Sequence, residues 1–142
     1  MKIVINDRKK IVAIQEEFCN LFPYLKIEFF SISYLPGGTV VKKMVRSGSK
    51  TLGECRIIHN KKTITISPMM TVADLEKIFR NVYGFGVQVL RQSGKVWLET
   101  TVTDGWTLEE QNRQGEALSR NQLSLISDYD RQRFRENLFS GL

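Results

Sequence analysis

Histidine occurs once in this chain of 142 residues, cysteine twice and proline three times. Cys19 and Cys55 form no Cys-x-x-Cys pair, and with His59 as the sole histidine they support neither a disulfide framework nor a zinc site. Both are expected to be reduced thiols, Cys19 buried within a helix. No stretch approaches the roughly 20 apolar residues of a membrane span, and the opening MKIVINDRKK turns polar too early for the core of a signal peptide. A cytoplasmic chain with no membrane partner and no cofactor is the resulting expectation. With 42% hydrophobic and 25% charged residues, the length suits a single domain that buries roughly 68–70% of its unfolded surface.

What the chain does have is basic charge, and in one half only. The net charge is +6. Residues 1–61 carry 11 basic and 5 acidic groups, whereas residues 62–142 carry 10 of each. Within residues 42–62 the cations Lys42, Lys43, Arg46, Lys50, Arg56, Lys61 and Lys62 are opposed only by Glu54. Such a cluster is rewarded by a polyanion through counterion release. Single-strand readers also present aromatic rings for base stacking, and none interleaves with these lysines.

Hydrophobic periodicity repeats along the chain at a spacing of 61. Ile3 and Ile5 correspond to Ile64 and Ile66 in strand-like alternation, and helical stripes follow in both places. One runs Ile11, Ile14, Phe18, Leu21, Phe22 and the other Val72, Leu75, Ile78, Phe79, Val82, Tyr83. Asn6 or Asp7 is expected to cap the first helix and Thr71, with Asp74, the second. Pro23 and Gly84 stop them, and Leu25, Ile27 and Phe29 answer to Phe85, Val87 and Val89. Two βαβ units predict an α+β domain with a ferredoxin-like sheet, both helices on one face. A turn at Gln92-Ser93-Gly94-Lys95 then adds a hairpin strand, Val96–Glu99. Thr107, with Glu110, starts a short further helix. The domain is expected over 1–115, interrupted by the basic connection 35–61 and followed by a polar tail at 116–142, with a helix around Tyr129, Phe134, Leu138 and Phe139.

Catalytic patterns fail on inspection. Ser47-Gly48-Ser49-Lys50-Thr51 lacks the second glycine and the Gly-Lys pair of a phosphate loop, and its Ser-x-x-Lys spacing lacks the companion motifs of penicillin-interacting enzymes. Glu99, Asp104, Glu109, Glu110 and Glu116 gather without a histidine base, and Glu109 and Glu110 suit a first helical turn. No catalytic or metal-binding residue is assigned, and the chain is not expected to be an enzyme.

Large aromatics are enriched at interface centres. If Val96 and Leu98 face the helices, Trp97 shares the opposite sheet face with Gln88 and Leu90, which in a one-layer α+β sheet is left open. Trp97, Leu90 and Trp106 therefore form the expected interaction surface, for a protein partner or a second copy in a homodimer. The alternative is a nucleic-acid-binding regulator working through the seven cations of 42–62. Finally, Met70–Glu76, Tyr83–Val89, Val96–Thr100 and Trp106–Asn112 resemble a group of short uncharacterised bacterial proteins over about residues 52–115. The resemblance implies a free-standing bacterial domain and carries over no functional residue.

Overall fold

A computed structural model of the chain describes residues 1–46 and 48–120. It is an α+β fold with the order β1 (Ile3–Ile5), α1 (Ile11–Leu21), β2 (Leu25–Tyr34), β3 (Val40–Met44), α2 (Leu52–Cys55), β4 (Ile64–Ile66), α3 (Val72–Tyr83), β5 (Gly86–Ser93) and β6 (Val96–Glu99), closed by a helix, α4, over 108–120. None of the helices among these residues is long and apolar enough to cross a membrane. The expected tail helix lies outside the described residues. The boundary at 115 is crossed by α4, whose Ser119 is buried and accepts from the Gly94 amide. Gly115 sits in this crossing because a Cβ there would come within 2.9 Å of Tyr24 Cβ.

The strands make a four-stranded antiparallel sheet, β3-β2-β5-β6, and a separate two-stranded ribbon, β1-β4. A ferredoxin-like order would set β1 and β4 parallel in the centre of one sheet. Here they pair antiparallel, Val4 opposite Thr65, with Ile3, Ile5, Ile64 and Ile66 buried and the residues between them exposed. Three-residue strands whose alternate positions are all isoleucine bury one face equally well in either direction, so periodicity alone does not choose. The basic connection is also more structured than expected. Pro36-Gly37-Gly38 turns β2 back into β3, which pairs along Phe30–Tyr34.

The two halves share a pattern of backbone bonding. In the first, the amides of Ile11, Val12, Leu52 and Gly53 donate to the carbonyls of Lys50, Gly48, Lys9 and Asp7. In the second, those of Val72, Ala73, Leu108 and Glu109 donate to Trp106, Asp104, Met70 and Pro68. Thr51 and Thr107 each accept from the amide three residues on, and Leu52 and Leu108, next along, are fully buried. The matching spacing is 61 for β1 with β4, 60 for β2 with β5, where Glu28 meets Gln88, and 56 for the helix-capping segments. Each half is therefore β-α-β-β-α, related to the other by a two-fold axis. The initial amides of α1 and α3 are satisfied by their own half's returning chain. For this reason α1 starts at Ile11 after Lys10, with no side-chain cap, and Asn6 instead accepts from the Arg8 amide.

The core lies on one face of the four-stranded sheet. Leu25, Ile27 and Phe29 of β2 and Val87 and Val89 of β5 meet Ile14 and Phe18 of α1 and Leu75 and Phe79 of α3. Phe29, Phe79 and Phe85 meet edge to face or tilted with centroids 5.6–5.9 Å apart, a geometry that adds to their area burial. The alternate residues, Lys26, Glu28 and Phe30 on β2 and Gln88, Leu90 and Gln92 on β5, point to the other face.

Candidate interaction surface

The seven cations of 42–62 do not form one surface. Lys42, Lys43, Arg46 and Lys50 line a cleft of about 770 Å³ between β3 and α2, with Glu54 its one acidic group. None of the four is held in an ion pair among the described residues. Lys61 and Lys62 line a different cleft of about 510 Å³ with Arg8 and Asp7. Arg56 departs from the expectation altogether. Its side chain is 2% exposed and pairs with Asp7 at 2.8 Å, and it donates to Asn60 Oδ1 and to the carbonyls of Ile58 and Val82. Its guanidinium also lies 4.4 Å from the Tyr83 ring centroid. A planar five-donor fork with all three nitrogens engaged is an internal clamp rather than a free cation for a polyanion.

The apolar set divides as well. β5 and β6 pair directly through Gly94-Lys95, so the turn is two residues long. Gly94 takes a φ of 63° at its first position, as a type II′ turn requires. In this register Trp97 lies opposite Gln92 and Leu90 opposite Glu99, which puts Trp97 and Leu90 on the face away from the helices. Leu90 is buried there, while Trp97 is 39% exposed with Lys26 Nζ 4.8 Å from its ring centroid. Trp106 belongs to the opposite side. Its ring packs against Arg91, whose side chain leaves β5 toward the helices and donates to Gln111 Oε1 at 2.8 Å.

The two-fold relation brings order to these sets. Matching β3 to β6 through their partners on β2 and β5 makes Lys42 equivalent to Trp97 and Lys43 to Leu98. The capping segments make Lys50 equivalent to Trp106. One half thus carries cations where the other carries tryptophans and leucine, at opposite edges of the sheet. Sequence reasoning missed Val96 and Leu98 as surface residues. Both do point to the helix side, yet both are exposed, since among the described residues β6 is the outermost strand of the sheet. The signal was available in the chain order: a strand reached by a final hairpin has only one neighbour.

The acidic group is dispersed. Glu109 and Glu110 pair with Arg113, and Glu116 with Arg120. Glu76 titrates above the ordinary carboxylate range because it is partly buried and lies near Asp104. Partial burial likewise pushes the Cys55 thiol up, against the pull of Lys50, the opposite of an activated nucleophile. Cys19 is at the surface of α1 rather than buried, since it follows Phe18 on the outward side of the stripe. Among the described residues no group of three His, Cys, Asp or Glu could hold a metal ion. No protein-family model matches the chain, and no curated protein or solved structure matches it.

Proposed function

We propose that the protein is a non-enzymatic binding domain that receives a protein strand along β6. The observation carrying this reading is the outer edge of Val96–Glu99. All four residues are exposed, the strand has no neighbour beyond it among the described residues, and the run contains neither proline nor bulge. An unguarded edge offers unpaired backbone groups as a template for strand addition. The other edge differs, because Lys42 and Lys43 sit within β3 as protecting charges. Trp97 supplies the side-chain anchor, with the rigid amphipathic bulk that dominates interface energetics. Replacing Trp97 by Ala should lower partner capture or oligomer mass at least tenfold in affinity, a loss of about 1.4 kcal/mol or more. Unchanged capture and unchanged mass with an intact far-UV spectrum would remove the reading.

A second reading rests on the cleft that gathers Lys42, Lys43, Arg46 and Lys50. In it the protein is a nucleic-acid-binding regulator, and four cations neutralise phosphates. Titration with random-sequence RNA or DNA should then give an affinity that falls with salt with a log–log slope of roughly −3 to −4. Reversal of Lys42 and Lys50 to Glu should abolish that binding. If the charge merely steers an acidic protein partner, the same reversal slows association and leaves dissociation unchanged.

A further inference from the structure

We infer that the strand β6 receives is β6 of a second copy of this chain, in one particular register. The inference rests on the reading of β6 as a binding edge and names its occupant. In a two-residue hairpin the residues flanking the turn, Ser93 and Val96, form a hydrogen-bonded pair, and the pattern alternates from there. Val96 and Leu98 therefore spend their backbone groups on β5, leaving the N–H and C=O of Trp97 and Glu99 directed outward.

Two copies of one surface associate most simply about a two-fold axis. An axis perpendicular to the sheet keeps the faces continuous only if opposed residues share a face, which restricts the centre to a residue and excludes a position between two residues. Centring on Trp97 places Trp97 against Trp97 of the second copy and exchanges their outward backbone bonds. Val96 then meets Leu98 of the second copy on the helix side, and both are exposed apolar side chains in the single chain. Lys95 comes opposite Glu99 of the second copy, twice over. Centring on Leu98 instead sets Trp97 against Glu99 and leaves Lys95 without a counter-charge. The strand thus complements itself in charge and in apolar pairing at one register, and the result is a continuous eight-stranded sheet with the two basic clefts at its outer ends.

A four-residue edge is short, so the dimer is expected to be weak, below the roughly 1,200 Å² of a standard interface. The experiment is light scattering of the purified full chain at roughly 100 μM, a concentration suited to such a contact, with circular dichroism to verify folding of each variant. K95E and E99K, both at exposed sites, should each be monomeric, since each opposes like charges at two places. K95E/E99K should recover the dimer mass, and an equimolar mixture of the two single variants should form a heterodimer. A monomeric wild type, or single reversals that leave the dimer mass unchanged, overturns the inference. A monomer that still loses a protein partner on Trp97→Ala would retire self-pairing alone, whereas indifference of both mass and capture to that substitution would retire the β6 reading with it.

Discussion

Arg56→Met should cost about 1–3 kcal/mol of stability, measured by urea unfolding at neutral pH. The guanidinium joins the turn after β1, the chain after α2 and the C-terminal end of α3, through Asp7, Ile58, Asn60 and Val82. Removing it leaves the Ile58 carbonyl without its donor, takes one of two donors from Asn60 Oδ1 and from the Val82 carbonyl, and uncovers a face of Tyr83. Methionine replaces the packing of the stem and none of the donors, so the loss reports the polar clamp. Arg56→Lys should fall between, because a single ammonium cannot satisfy acceptors arranged for a fork. If polyanion binding were its role, either substitution would leave the unfolding midpoint where it was.

Leu108→Ala and Leu52→Ala should each lose about 2–5 kcal/mol, by transfer and cavity costs at fully buried sites. The pairing is the informative part. The two leucines are equivalent under the two-fold relation, and each follows a threonine that bridges to the residue preceding a long helix, Thr51 to Lys10 and Thr107 to Thr71. The helices they open differ in length, four residues against thirteen among the described residues. A stability loss governed by the local core should be similar at both sites. A much larger loss at Leu108 would mean that α4, tied to Tyr24, Arg91 and Gly94 by Asn112, Gln111 and Ser119, comes away as a unit.

The elements were legible in the sequence where periodicity and punctuation agree. The stripes of α1 and α3, the alternation in β2 and β5 and the Gly94 turn are of this kind, as is the shared face of Trp97 and Leu90. Strand partnership was not, because β1 and β4 carry the same Ile-x-Ile pattern and satisfy parallel and antiparallel pairing alike. The helix start was missed at Asn6 because the true cap of α1 is a pair of backbone carbonyls some 40 residues away, at Gly48 and Lys50, which no local signal announces. Arg56 looked like one more cation in a basic run. Its burial depends on Asp7 and Val82 converging on it from elements 49 and 26 residues away.

Each half contributes one strand to the β1-β4 ribbon and one to the central β2-β5 pairing, while the link between halves, residues 57–63, is exposed throughout. The halves are consequently interlocked partners rather than neighbours on a string. A chain severed in that link would remain assembled, and the separated fragments would have to find each other before either could fold. In that sense this single polypeptide behaves as a two-component complex whose affinity is guaranteed by its tether.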